Sequence, residues 1–285
     1  MRILTILVRY GVEHYPAAEK EIAALFERQL PGIHRDVIVV DNALPREAGA
    51  RLHGTTLVGG DNRVREFTAF DRAIEHAGAD LSGYDFIHLA TSAFNTLYTH
   101  YLERFTFPVL RAAAGRTICL GHIDCYNEPV GLGAFVSQHW MRTCFFFLPA
   151  AAVRMLGSFV SLADRAAFFS GDPSNPFRSN APISERYQRY IIDWLRGADV
   201  GQGVIWHSRL ELSPEGLAAF EQKALCILNE QMLGIRLREL GCPLVDVTWL
   251  STRVGDVSAD AIPWHTPWQQ QLAGRDRDAV VVGAQ

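Results

Sequence analysis

The sequence predicts an α/β fold: a sandwich around a mostly parallel central sheet, followed by a helical C-terminal region. Three observations predict it. Continuous β-branched and apolar runs such as Ile3 to Val8 and Val37 to Val40 have the composition of strands buried on both faces. Stretches of helical periodicity separate these runs, giving the βαβα alternation of a layered α/β domain. One long helical pattern, Pro214 to Leu240, dominates the second half.

The elements follow in order. After the Ile3–Val8 strand, Ala17 to Gln29 carries Ile22, Ala23, Leu25, Phe26 and Leu30 on one helical face, and Pro31-Gly32 stops it. The second strand ends at Asp41-Asn42, and Thr55 to Val58 reads as a short third strand. Gly59-Gly60-Asp61-Asn62 leads into a helix from about Arg63 to His76, closed near Gly78. Phe86 to Ala90 is the next strand. Residues 97–114 look helical with a break near Pro108, and Thr117 to Ile123 is strand-like. Asn127 to Val136, rich in glycine, reads as an irregular loop. Cys144 to Leu148 is an aromatic strand with a short helix after it, through Val153 to Leu156. Ser170 to Pro182 is loop. Ser184 is an N-cap for a helix to Leu195, with Gly197 just past its end. Val204 to Trp206 reads as a strand. Ser213 caps the long helix, Pro214 suits its first turn and Gly241 its C-terminal stop, while Gly234 inside it allows a bend or close packing. The tail after Leu250 has little periodicity, and its Ile262–Trp268 cluster is expected to pack onto the domain.

Composition narrows the function classes. A net charge of −4 argues against nucleic acid as the main partner. No apolar run reaches the roughly 20 residues of a membrane span. Met1-Arg2 leads directly into a strand, so no signal peptide is expected. Five dispersed cysteines without a C-x-x-C read as reduced thiols of a cytoplasmic protein. The only lysines are Lys20 and Lys223, so phosphate would be met mostly by guanidinium groups. The turn after the first strand, Arg9-Tyr10-Gly11-Val12, has no dinucleotide fingerprint. No P-loop and no nucleophile elbow occur anywhere in the chain.

Ligands of open α/β sheets sit at the carboxyl ends of the strands. Those ends carry Arg9-Tyr10, Asp41-Asn42, Ala90-Thr91-Ser92 and His122-Asp124. Arg63 and Arg65 stand at a helix N-terminus, where backbone N–H groups and the dipole favour a diphosphate. The bland alternative is a solvated helix face partnered by residues such as Glu66. Thr91 and Ser92 can hydrogen-bond phosphate or sugar hydroxyls but hold a divalent cation poorly. Trp140, Trp264 and Trp268 suit either sugar stacking or packing.

In this order and kind of features the chain resembles the GT-A glycosyltransferases. The resemblance rests on Arg9-Tyr10, on Asp41-Asn42, and on Gly60-Asp61-Asn62-Arg63 with Arg65 and Phe67. It rests too on Phe86 to Ser92, which ends in Ala-Thr-Ser where that family usually carries Asp-x-Asp. Within it, the chain is similar to the metal-independent bacterial branch that builds O-antigen and related surface polysaccharides, rhamnosyltransferase-like members included. The stretch Gln138 to Phe146 resembles the acceptor-side segment of that branch. The match covers roughly residues 1–200.

The resemblance implies a GT-A-like sandwich that needs no metal or cofactor. Its reaction would be inverting transfer of a sugar, such as rhamnose on dTDP, from a nucleoside diphosphate donor to a glycan or lipid-linked acceptor. It implies donor contacts from Arg9, Tyr10, Asp41, Asn42, Asn62, Arg63, Arg65, Thr91 and Ser92, with Asp41 accepting from a pyrimidine or its ribose; a turn or helix-cap aspartate is the plain alternative for Asp41. Acceptor or phosphate contacts fall to His122, His139, Trp140 and Arg142. Inversion needs a general base. Glu185, at the start of a late helix, fits the family's usual place, and Asp124 is its rival. A dipole-favoured acidic residue is the plain alternative for Glu185. The expected organisation is a nucleotide-sugar-binding half (1–125), an acceptor-side half with the long helix (126–250), and a tail that packs on the domain or is partly disordered (251–285). A lipid-linked acceptor would bring a loose association with the inner membrane face or a synthase complex. Two rival readings stay open: a sugar nucleotidyltransferase, whose activating glycine-rich start this chain lacks, and a non-catalytic GT-A-like scaffold.

Overall fold

The computed structural model describes residues 1–52, 54–96, 99–201, 209–273 and 275. In chain order its first half runs β1 (Arg2–Arg9), α1 (Ala18–Gln29), β2 (His34–Asp41), β3 (Gly49–Leu52), β4 (Thr55–Gly59), α2 (Arg65–Ala77), β5 (Phe86–Thr91), α3 (Phe107–Ala113) and β6 (Cys119–Gly121). Then follow β7 (Ile123–Leu132), β8 (Phe135–Met141), β9 (Phe145–Pro149), α4 (Ala150–Leu156), α5 (Glu185–Leu195), α6 (Leu217–Glu239), β10 (Leu244–Asp246), α7 (Val247–Ser251) and α8 (Trp268–Leu272).

Among the described residues the main sheet has the order β10-β6-β9-β5-β1-β2-β4-β3. Strands β5, β1, β2 and β4 are mutually parallel, as are β10 and β6. β9 runs antiparallel between β5 and β6, and β3 folds back on β4 at the edge. The expected α/β sandwich around a mostly parallel sheet is therefore what forms. A separate antiparallel pair, β7 with β8, stands off the main sheet.

The alternation of side chains along β1 explains the two layers. Leu4, Ile6 and Val8 pack with α2, α4, α5 and α6, while Ile3 and Leu7 pack with α1, α3 and α7. Both faces are covered, which is why β1 and β2 read as unbroken apolar runs. On the α1 side sits one polar pair. Thr5 and His88 are fully buried, and Oγ1 of Thr5 lies 3.3 Å from Nδ1 of His88. The imidazole ring is packed against Phe145 at 4.2 Å and Phe147 at 4.5 Å, and its Nε2 has no partner among the described residues.

Several element boundaries differ from expectation. The 127–136 region is no loop: it forms the turn end of the β7–β8 hairpin, whose register shifts between Cys125 and Val130 and so breaks the two-residue alternation. The 117–123 run splits, with Cys119–Gly121 in the main sheet and Ile123 opening β7. Helix α2 begins at Arg65, so Arg63 lies in the turn before it. The long helix begins at Leu217, after a turn in which Ser213 Oγ accepts from the backbone of Gly216 at 3.1 Å. The break near Pro108 is real: a 3-10 turn (His100–Arg104) precedes α3, and Leu97 lies outside the described residues. The expected Val204–Trp206 strand also lies outside them.

Ser184 caps α5 as expected, accepting from Tyr187 N at 3.3 Å. Gly234 brings α6 close to β8: a Cβ there would lie 3.4 Å from Leu244 Cδ1 and 3.9 Å from Trp140 Cα. No helix among the described residues is long and apolar enough to cross a membrane.

Candidate functional site

The parallel strands deliver their carboxyl ends to one edge of the molecule, and the polar turns there are tied together. Arg9 closes β1; its Nε donates to Asp41 Oδ2 at 2.8 Å, and its guanidinium also pairs with Glu19 of α1. Asp41 Oδ1 accepts from the backbone of Gly11 at 2.9 Å and of Ala43 at 3.0 Å. Burial alone would raise the Asp41 pKa, but these bonds and Arg9 hold it below the usual carboxylate range. The Asp41 carboxylate is thus already engaged in fixing the turns. Tyr10, the next residue after β1, is 57% exposed.

Asn42 Nδ2 donates to Asn62 Oδ1 at 3.3 Å and to the Arg65 carbonyl at 3.2 Å, while its own Oδ1 is buried without a partner among the described residues. Asn62 and Arg65 both adopt left-handed backbone, with φ of 52° and 46°. Such conformations cost on the order of 1–3 kcal/mol and persist where surrounding contacts impose them. Gln222 of α6 supplies one, donating to the Asn62 carbonyl at 2.8 Å. Arg65 Nε is buried and unpartnered among the described residues. Arg63 goes elsewhere. It pairs with Asp61 at 2.8 Å and lines a second concavity of about 720 Å³ with Arg46, Arg72 and Arg165, each salt-bridged to a carboxylate.

Next to these turns lies a partly open cavity of about 210 Å³. Thr91 at the end of β5 and Glu66 in the first turn of α2 form one side. Asp124 and Tyr126 of β7, with Trp140 of β8 and Arg142 just beyond it, form another. Asp124 and Trp140 are cross-strand partners and so present to the same face. Tyr190 and Trp194, one turn apart on α5, add aromatic surface. From α6 come Lys223, Cys226, Ile227 and Glu230, the i, i+3, i+4 and i+7 positions of one helical stripe.

The ionic groups of the cavity differ in kind. Asp124 receives Arg142 through Nη2 at 2.6 Å and Nε at 3.1 Å, and His122 Nε2 lies 3.2 Å from its other oxygen. Burial would raise the Asp124 pKa, but Arg142 and then His122 drive it far below the usual range. Behind the pair, Arg275 Nη1 lies 3.3 Å from His122 Nε2 and donates to the Ile123 carbonyl at 2.7 Å, while Nη2 pairs with buried Asp246. Glu230 has the opposite character. Its Oε1 accepts from both Thr143 N and Thr143 Oγ1 at 2.8 Å, and burial outweighs these bonds to raise its pKa.

Of the residues singled out in the sequence, Thr91, Asp124, Trp140 and Arg142 meet in this cavity, with Ser92 adjoining through a backbone bond to Val8 at 2.8 Å. Arg9, Asp41, Asn42, Asn62 and Arg65 form the neighbouring network of turns, and Tyr10 stands exposed beside it. His122 sits behind Asp124. His139 points away: it stacks on Trp268 at 5.2 Å and contacts Arg238 at 2.6 Å. Glu185 is exposed at the start of α5 and is absent from the cavity lining that Tyr190 and Trp194 share. Trp264 is buried under Arg116, and Trp268 covers His139; both are engaged in packing. Sequence reasoning missed Glu66, Tyr126, Tyr190, Trp194, Lys223 and Glu230. The available signal was the spacing of Lys223, Cys226, Ile227 and Glu230 on a helix already recognised.

The buried histidines give a pH prediction. Burial, and to a lesser degree Arg35, pushes the His88 pKa well down; burial and Arg238 push that of His139 to about 3. Unfolded histidine titrates near 6.5, so below that pH the unfolded chain takes up protons that the folded chain refuses. Stability is full above pH 6.5 and falls as pH drops, by about 1.4 kcal/mol per unit for each such histidine. His122, also buried with its pKa lowered, adds to the slope; urea unfolding between pH 7 and 5 should show it, and His88→Leu should reduce it by up to about 1.4 kcal/mol per pH unit. An unchanged slope in that variant would show that His88 is protonated in the folded protein.

No protein-family model matches the chain, and no curated protein matches it significantly. Among solved structures it is similar to a mannosyltransferase from Pyrobaculum calidifontis in complex with GDP-Man and Mn2+. That likeness has 12% identity and a TM-score of 0.35, and covers 99% of this chain and 83% of the other. At that TM-score it carries no argument about what this chain binds or does. What the fold and cavity define is an α/β protein with a partly open, aromatic-walled, charge-bearing cavity at the carboxyl edge of a mostly parallel sheet.

Proposed function

We propose that this protein is a glycosyltransferase, moving a sugar from a nucleoside diphosphate donor to a hydroxyl of a glycan or lipid-linked acceptor. The observation that carries the reading is the cavity itself. It lies at the carboxyl edge of the sheet, where α/β folds bind ligands, and joins aromatic walls to paired cations and carboxylates. Trp140, Tyr126, Tyr190 and Trp194 line it with aromatic surface of the kind that suits sugar rings, Trp140 and Tyr126 being packed against each other at 4.2 Å. The adjoining turns, with Arg65, Asn42 and the N-terminus of α2, suit the donor diphosphate, and exposed Tyr10 suits a nucleobase.

The proposal extends to a metal-independent, inverting reaction within bacterial surface polysaccharide synthesis, with a deoxyhexose such as rhamnose as the sugar. Thr91 and Ser92 occupy the strand end where an acidic pair would bind a cation. Arg65, Lys223 and the α2 dipole would offset the charge of a leaving diphosphate.

Arg65→Ala tests the donor assignment. Loss of charge-assisted bonds to phosphate should weaken nucleoside diphosphate binding about 10- to 100-fold, equivalent to about 1.5–3 kcal/mol. The check is the ligand-dependent rise in melting temperature over a panel of sugar nucleotides. Equal affinity in the variant would remove Arg65 from the site. Release of nucleoside diphosphate should persist in EDTA; strict dependence on magnesium would end the metal-free part of the proposal. Absence of binding across the panel would favour the scaffold reading.

A further inference from the structure

The geometry points to Glu230 as the catalytic base that takes the proton of the acceptor hydroxyl, an inference that rests on the glycosyl-transfer reading above. Neither base suggested by the sequence has the required placement and freedom. Asp124 lines the cavity, but its carboxylate is committed to Arg142 and His122. Glu185 is exposed outside the cavity.

Glu230 combines fixed orientation with an open acceptor. Thr143 holds Oε1 through two bonds of 2.8 Å, one from the backbone and one from the hydroxyl. Oε2 accepts no hydrogen bond among the described residues, and Glu230 lines the cavity. Pre-orientation of this kind is what a general base needs to meet a hydroxyl in a single geometry.

The groups facing Glu230 come from several elements: Lys223 and Cys226 on α6, Glu66 on α2, Cys144 beside β9, Tyr126 on β7 and Tyr187 on α5. Burial, and to a smaller extent Glu66, raise the Glu230 pKa; Thr143 and Lys223 pull it back. A carboxylate brought nearer to neutrality is a stronger base than Asp124, which its partners have drawn far the other way.

In the step, the acceptor O–H gives its proton to Glu230 Oε2. The freed oxygen pair forms the new bond to the anomeric carbon. The bond from that carbon to the donor's diphosphate oxygen breaks, and its electron pair leaves on the nucleoside diphosphate. Glu230 later returns the proton to water. Lys223, two turns away on the same stripe, is placed to meet the negative charge that develops.

The test is Glu230→Gln in the full chain, assayed with a panel of nucleoside diphosphate sugars for transfer and for slow hydrolysis, in which water stands in for the acceptor. The amide oxygen still accepts from Thr143, so the melting temperature should hold. Turnover should fall at least about 100-fold, with the donor-induced thermal shift unchanged. Turnover within about threefold of the native rate would overturn the assignment. Should the variant fail to fold, the native pH–rate profile against that of Lys223→Met decides instead. Removing the ammonium should move the acid limb to higher pH, and an unmoved limb would overturn the assignment. A native protein that turns over no donor would sink the glycosyl-transfer reading itself, a result reached before any Glu230 variant is made.

Discussion

Gly59→Ala is expected to lower stability by about 3 kcal/mol, the upper end of what overpacking usually costs. Gly59 ends β4, opposite Asp41 of β2, and the loop after β2 crosses directly over it. A Cβ at Gly59 would fall 1.7 Å from the Pro45 carbonyl oxygen, 2.6 Å from its carbon and 3.2 Å from the Leu44 carbonyl oxygen. All three are backbone atoms, so no side-chain rotation relieves the clash. The loop would have to lift, breaking the bond from Gly59 N to the Ala48 carbonyl at 2.9 Å and disturbing Asn42 beneath it. For a chain of this size the melting temperature should drop by about 6–12 °C. Donor-induced stabilisation should shrink with it, because Asn42 anchors both Asn62 and Arg65. Gly49→Ala is the control. Its nearest contact would be the Leu57 carbonyl at an ordinary 3.7 Å, and it should be nearly neutral. Equal melting temperatures for the two variants would mean that the backbones do not approach as described.

That close approach also shows what a sequence can and cannot convey. The Gly59-Gly60 pair announces a turn, but not that Pro45 lies on top of it. Strands β1 and β2 were legible because core covers both their faces, leaving unbroken apolar runs. Strands β3 and β10, four and three residues long, carry no such pattern, and pairing with neighbours alone makes them strands. The Ser184 cap was legible because its chemistry is local. The β7–β8 hairpin was not, because glycines and a register shift erase the alternation that marks a strand.

The site was legible only in part, for a similar reason. Strand ends can be counted off a sequence, so Thr91, Asp124 and Arg142 could be placed near a ligand edge. The stripe on α6 has the spacing of one helical face, but that helix is buried on most of its circumference, so the spacing alone does not say which face meets the cavity. Asn229 and Glu230 are neighbours in sequence with unlike roles. Asn229 is fully buried and satisfied: its Oδ1 accepts from the backbones of Ser161 and Leu162, and its Nδ2 donates to the Leu162 and Leu225 carbonyls. Glu230 lines the cavity. Only the rotation of α6 against the sheet separates the two, and the packing at Gly234 against Leu244 and Trp140 is part of what sets it.

Asp124→Ala should cost about 3–5 kcal/mol, because it leaves the buried Arg142 guanidinium without the carboxylate that offsets its desolvation. The side chains of Asp124 and Arg142 are only 17% and 13% exposed, so solvent can do little to compensate. The melting temperature should fall by about 10 °C. This separates a structural ion pair from a catalytic base. A base can be replaced with loss of turnover and little change in melting, whereas Asp124 should show the reverse order, with instability first. Replacing both partners, as in Asp124→Ala with Arg142→Met, should recover much of the loss, since no buried charge is then stranded. The pH dependence carries the same signature. A carboxylate whose folded pKa is depressed contributes stability above its unfolded pKa near 3.9, and that contribution is lost as pH falls below it. The native protein should therefore lose stability below pH 4 more steeply than Asp124→Ala does. Parallel curves for the two, together with an unaltered melting temperature at neutral pH, would release Asp124 from its structural role and restore it as a candidate base.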